Sequence, residues 1–444
     1  MATPSLAYRL TARVATALIP LAAPFAPKLR QSHAARRGTT ARAGRWSAQH
    51  RDRTRPLVWF HAPSVGEGRQ AEAVIAAFRQ LRPDCQIAYT HFSPSAESLA
   101  AAIGADFADY LPYDLPHQVA DLLDHLAPDL LVFTKLDLWP ELATAAARRA
   151  IPVALVAGTV RPGSGRLSWP VRSWLAPGYG ELSAAAVVSD ADAARLARLG
   201  TPRDRISVVG DPRFDSVLQV LQRVSADEPL LRFGRGAPTL VAGSTWPEDE
   251  SVLLEAFARI HLSRPDARLI LVPHEPTPAH LARVDATAAR LGLPRPVRLS
   301  DATEPVPLLL VDRTGVLARL YGAGTMAYVG GGFGSAGLHS VLEPAAWSIP
   351  VIVGPRWQES RDAELLLEAG AAEAVAELGE GEPDESLQRI WEAWLSDEPR
   401  RLAQGQRARG VVESGAGAAE ASAAMLAALL PAAVPIRERP APRS

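Results

Sequence analysis

The chain has 444 residues, 48% hydrophobic and 21% charged, with a formal net charge of −1 at neutral pH. That is a globular composition, too long for one ordinary core, and it points to two domains. The single cysteine, Cys85, excludes an internal disulfide framework and suits a reducing compartment.

Residues 1–55 form a basic arm, in which Asp52 is the only acid. Its apolar stretch "VATALIPLAAPFAP", Val14 to Pro27, is shorter than the roughly 20 residues a spanning helix needs. Pro20, Pro24 and Pro27 should also break a helix there. The arm reads as a segment resting on an anionic membrane surface, apolar residues dipping in and arginines meeting headgroups. A disordered basic leader is the alternative, and the lone cysteine argues against a secretory signal. Nucleic acid is not an expected partner, because the arm has few interleaved aromatics and the rest of the chain is balanced in charge.

From Pro56 short apolar runs alternate with longer amphipathic ones. "PLVWFHA", "CQIAYTHF", "DLLVFTK", "PVALVAG", "AAAVVS" and "RISVVG" read as strands, and "GRQAEAVIAAFRQL" and "DADAARLARLG" as helices. After a pause the rhythm restarts with "PTLVAGS", "ARLILVPH", "VPLLLVD", "MAYVGGG" and "IPVIVGP". Alternation of this kind predicts an α/β protein with parallel sheets covered on both faces. The expected division is 56–212 and 213–398, then a helical stretch 399–430 and a tail 431–444. Ligands of such sheets lie beyond the carboxyl ends of strands, so a cleft between two halves is the expected site.

In chain order, "WFHAPSVGEGRQAEAV" places Gly66 and Glu67 where the first strand meets a helix. Glu67 is either a favourable helix-start charge or a general base for a hydroxyl nucleophile. "VFTKLDLWPELA" offers Lys135 and Asp137, a plain ion pair or a site for an anionic substrate, and "VAGTVRPGSGR" offers Arg161. "VAGSTWPEDE" puts Gly243, Ser244 and Thr245 between a strand and an acid-capped helix, and lacks the G-K-[ST] of a P-loop. His274 ends the strand "LILVPH", as a phosphate partner or a surface residue. In "VGGGFGSAGLHSVLEPAAW", Gly332, Gly334 and Gly337 match G-x-G-x-x-G between a strand and an expected helix beginning near Leu338. A nicotinamide-dependent oxidoreductase would need an acid at the end of the next strand, but "IPVIVGP" is followed by Arg356 and Trp357. Glu343 inside the expected helix could instead meet a ribose diol, or the glycines could serve only a tight turn.

Taken together in order, these motifs resemble the 3-deoxy-D-manno-octulosonic acid (Kdo) transferases of lipopolysaccharide assembly. "HAPSVGE" is similar to that family's H-x-x-S-x-G-E, "LPYDLP" shares its spelling, and "DLWP" resembles its E-x-W-P. "VVGDPRFDSV" is similar to its G-[DS]-x-[RK]-F-D segment, and the Gly331–Glu343 block to its G-G-[GS]…H-N-x-L-E. The resemblance implies a GT-B fold of two Rossmann-like domains and a C-terminal helix crossing back. It implies inverting transfer from a CMP-Kdo donor to a lipid A precursor at the cytoplasmic face of the inner membrane, with neither cofactor nor metal. By the same resemblance Glu67 is the general base, assisted by Lys135 and Asp137, with Ser64, Gly66 and Arg161 on the acceptor side. CMP would be held by Arg213, Gly243, Ser244, Thr245, His274, Gly331, Gly332, His339, Ser340 and Glu343. The chain departs from the pattern where many members carry E-T-E-x-W-P: Lys135 replaces the first acid and Asp137 the second. Another GT-B transferase using a different nucleotide sugar, or a non-catalytic nucleotide-binding protein, are the alternatives.

Overall fold

The computed structural model describes residues 3–225, 227–376 and 382–432; most of the expected tail therefore lies outside the described residues. Two compact units organise the chain. The first comprises the described residues through Ser216 together with those from Ala416 onward, and the second is Val217–Gly415.

The first unit holds seven parallel strands: β1 (Leu57–His61), β2 (Gln86–His91), β3 (Phe107–Tyr110), β4 (Leu130–Thr134), β5 (Val153–Gly158), β6 (Leu182–Val187) and β7 (Ile206–Val208). Their order is β3-β2-β1-β4-β5-β6-β7, so the topology reverses at β1, between β2 and β4. β1, β2, β4 and β5 are buried along their whole length, as expected of strands covered on both faces. Two apolar layers result, one built on Trp59, Leu131 and Phe133 and the other on Phe60, Val132 and Phe78.

The second unit repeats the plan with β8 (Thr239–Thr245), β9 (Arg268–Pro273), β10 (Val297–Arg298), β11 (Leu308–Leu310), β12 (Met326–Val329), β13 (Val351–Val353) and β14 (Ala372–Ala374). Its order is β10-β11-β9-β8-β12-β13-β14, again all parallel. β3, β10 and β14 escape the sequence reading because each has at most four residues and none carries a continuous apolar run.

The arm is ordered, which excludes the disordered leader: helices span Leu6–Ala22, Pro27–Arg36 and Thr39–His50. Pro20 does not break the first. It lies in the last turn, where the helix forfeits one amide bond and ends two residues later. Pro24 and Pro27 fall instead within the first turns of the next two elements, where a missing N–H is tolerated. Tyr8 donates to Asp114 at 2.6 Å, and Arg9 holds buried Glu141 with two contacts of 2.7 and 2.9 Å. The opposite face of this helix leaves Leu6, Leu10, Val14, Leu18 and Leu21 exposed, and Phe25, 89% accessible, continues the stripe. Among the described residues no helix is long and apolar enough to cross a membrane.

The stretch read as one helical segment is two helices. Glu398–Ser414 belongs to the second unit, where Gly405 lies against the Ser348 carbonyl. Ala418–Ala428 belongs to the first, packing Ala419, Ala423 and Leu426 into the apolar layer of the helix Val65–Leu81. Asp215 caps it by accepting from the Gly417 and Ala419 amides at 2.7 and 3.1 Å.

The carboxyl ends of β8, β12 and β13 are crowded backbone against backbone. A Cβ on Gly330 would fall on the Ser244 carbonyl and come within 2.7 Å of the Thr245 Cα, and one on Gly332 within 2.6 Å of the Gly354 Cα. Gly330→Ala should therefore destabilise the chain by about 1–3 kcal/mol in denaturant unfolding, the usual penalty for overpacking. Gly163→Ala, with nothing within 4 Å of the new methyl, should be nearly neutral. Equal stability of the two variants would contradict this packing.

Candidate functional site

In the first unit the ends of β1 and β4 are neighbours, with His61 paired to Phe133 across the ladder. Ser64 follows β1 as the cap of the helix Val65–Leu81, and Glu67 sits in that helix's first turn. The Ser64 hydroxyl donates to one Glu67 carboxylate oxygen, and Lys135 Nζ lies 3.0 Å from the other. Burial pushes Glu67 up, but the Ser64 hydrogen bond and the Lys135 charge outweigh it, so the carboxyl ends below its ordinary value. Lys135 takes this position at φ +62°, a left-handed conformation costing an L-residue about 1–2 kcal/mol.

Asp137 does not pair with Lys135. Its Oδ2 accepts from His61 Nε2 and from Trp139 Nε1, both at 3.2 Å. Burial again raises the carboxyl, and the His61 and Trp139 contacts together with the Arg166 charge bring it below the ordinary value. His61 is fully buried and its Nδ1 lies 3.0 Å from both oxygens of Thr90, so its ring is fixed at both nitrogens. Arg161 is exposed in the turn after β5; Arg166, farther along the same loop, is the arginine whose charge acts on Asp137. Arg166 carried no sequence signal; His61 opens the "HAPSVGE" motif at the end of β1, but nothing in the motif told its role. Gly66 is open on its Cβ side, and the glycine that packing requires is Gly68, wedged against Leu99 and Tyr89. Arg213 belongs to the first unit and engages buried Asp211 at 2.8 Å, with Gln70 on the other oxygen.

In the second unit, the turn after β8 leads through Ser244, at φ +53°, into the helix Pro247–Ser263. Thr245 is buried, and its hydroxyl donates to Glu250, which also meets His280 at 2.8 Å. Its side chain is thus committed to the interior. Gly243 makes room for the Tyr321 hydroxyl. Asp249 is buried too: it accepts from Tyr328 Oη at 2.7 Å, the Trp246 amide at 2.8 Å and the Gly331 amide at 2.9 Å. His274, whose amide donates to the Thr245 carbonyl, stacks on both Trp246 (4.7 Å between centroids) and His339 (4.5 Å). Trp246 Nε1 donates to His339 Nε2 at 3.2 Å, and burial followed by the neighbouring His274 pushes His339 down to about 4.

The glycine segment is not followed by the expected long helix. Residues 330–341 form an irregular loop, with Gly331 and Gly337 at positive φ, and the helix is only Leu342–Ala346. Pro344 explains the late start, since a helix from Leu338 would place it in the interior, where its missing N–H is costly. Glu343 is half-buried in that short helix, and Ser340 is exposed before it. The loop therefore lacks both the ribose acid and the helix geometry of a dinucleotide turn.

A family model described as "3-Deoxy-D-manno-octulosonic-acid transferase (kdotransferase)" matches residues 36–216. The 3-deoxy-D-manno-octulosonic acid transferase of Bordetella pertussis is 30% identical over 400 residues, covering 85% of this chain and 88% of that one. Its counterpart in Chlamydia muridarum is 27% identical over 372 residues, covering 81% and 83%. Among solved structures, UDP-GlcNAc 2-epimerase from Neisseria meningitidis superposes with a TM-score of 0.61 at 12% identity, covering 84% of this chain and 99% of that one. At that identity the likeness shows the fold alone, and the fold is GT-B. The chain belongs to the Kdo transferase family and is a GT-B glycosyltransferase.

Proposed function

We propose that this chain transfers Kdo from CMP-Kdo to a sugar hydroxyl of a lipid A precursor, with inversion and without a metal ion. Glu67 acts as general base, and the observation that carries the reading is its carboxylate, kept ionised between Ser64 and Lys135. In the reaction the acceptor oxygen forms a bond to the anomeric carbon of Kdo as that carbon's bond to the CMP phosphate breaks. CMP departs with the electron pair, and the acceptor's proton passes to Glu67. A phosphate monoester leaving group can be stabilised by backbone N–H groups and cations. Arg213 supplies the cation, the turn of Gly243 and Ser244 and the loop of Gly331 and Gly332 bring backbone close to the phosphate, His274 and His339 line it with their rings, Glu343 holds the ribose hydroxyls, and Ser340 and Thr245 shape the cradle. The sugar's own carboxylate is met by Lys135, with Asp137 ordering the loop after β4 that carries it and Arg161 beside the acceptor.

Exchange of Glu67 for glutamine removes the base while preserving shape. Transfer should fall by roughly 10²–10⁴-fold, measured as CMP release with donor and acceptor present, while CMP-Kdo binding by calorimetry is retained. Near-normal turnover would refute the assignment.

The arm, we propose, rests on the cytoplasmic face of the inner membrane, the Leu6–Phe25 apolar stripe entering the headgroup region and exposed arginines such as Arg13 and Arg30 meeting anionic lipid. Leu10→Ser with Leu18→Ser should lower co-sedimentation with phosphatidylglycerol-containing vesicles and leave activity on detergent-dispersed acceptor intact. Equal partitioning of variant and parent would refute this role.

A further inference from the structure

An indole N–H can only donate. The 3.2 Å contact from Trp246 Nε1 therefore obliges His339 Nε2 to present its lone pair, and a neutral imidazole that accepts at Nε2 carries its proton on Nδ1. The geometry has further support. Trp246, His274 and His339 form a stack, with interplanar angles of 23° between Trp246 and His274, 27° between the two imidazoles and 12° between Trp246 and His339. Trp246 is itself anchored, because its amide and that of Gly331 share the same Asp249 oxygen. The turn after β8 and the glycine loop after β12 are thus joined twice, once through Asp249 and once through the indole. A proton on His339 Nε2 would break the second link, face His274 and sit in a half-buried setting, consistent with the ring's low pKa.

We propose that Trp246 is a positioning residue that locks His339 in its neutral Nδ1–H tautomer, so that the ring offers the donor nucleotide one directional N–H and no charge. This rests on the reading of His339 as a CMP contact. His339 would then discriminate by hydrogen-bond direction, leaving the ionic attraction for phosphate to arginine.

The test is the imidazole spectrum of full-length, ¹⁵N-histidine-labelled protein near neutral pH, with His339 assigned by its loss in His339→Ala. The expected pattern is protonated Nδ1 and bare Nε2. Trp246→Phe, which keeps a ring in the stack but removes the N–H, should give a mixture of tautomers and weaken CMP binding roughly five-fold, about the worth of one directed hydrogen bond. A wild-type ring protonated at Nε2, or a tautomer unchanged in Trp246→Phe, overturns the proposal, and the wild-type spectrum decides even if the variant fails to fold. If the tautomer is as expected but His339→Ala binds CMP like wild type, the lock stands and the donor-site reading falls.

Discussion

One buried carboxylate holds the second unit's strand ends in place. Asp249 takes three hydrogen bonds at once, from a strand tyrosine, from the turn after β8 and from the glycine loop after β12. Burial raises its pKa and Glu250 adds to the penalty, more than the three hydrogen bonds take back. Either charge state leaves the two amides an acceptor. Because Gly330 and Gly332 already touch neighbouring backbone, the loops have little freedom to move apart or closer. The first unit uses the same device twice. Asp114 accepts from Tyr8 and from the Glu141 and Leu142 amides, and Asp215 from the amides that open the last helix. In each case a carboxylate satisfies helix-start N–H groups and ties down a segment distant in sequence.

Much of the architecture was legible because a doubly covered parallel strand is apolar throughout. The central strands of both sheets announce themselves in that way, whereas β3, β10 and β14, short and at or near the sheet edges, do not. The arm misled through its prolines: Pro20, Pro24 and Pro27 punctuate helices without preventing them. Pro344 had the opposite effect, forbidding the helix start that the glycine spacing suggests.

Strand-end position draws attention to Glu67, Lys135 and Asp137 in the sequence, but their partners could not be read. Lys135 and Asp137 are two residues apart and invite a local ion pair. Lys135 instead reaches across to Glu67, and Asp137 turns to His61, because β1 and β4 are adjacent and their ends converge. Arg166 rather than Arg161 acts on Asp137, and sequence distance from the strand end says nothing about that. Trp246 lies inside the turn "VAGSTWPEDE", but its spacing marks no role, which appears only when the rings of three separate segments are seen stacked.

Division of labour follows from these environments. The first unit holds a carboxylate that Ser64 and Lys135 keep below its ordinary pKa, and the second holds a stack of three rings beside the glycine loop. Lys135 adds a cation beside Glu67. The most direct measurement is mass analysis of the products formed by purified protein with CMP-Kdo and a lipid A precursor. The account predicts an acceptor heavier by one or more Kdo units, with CMP released in equal number; an unmodified acceptor under those conditions, together with turnover of a UDP-sugar, would contradict it.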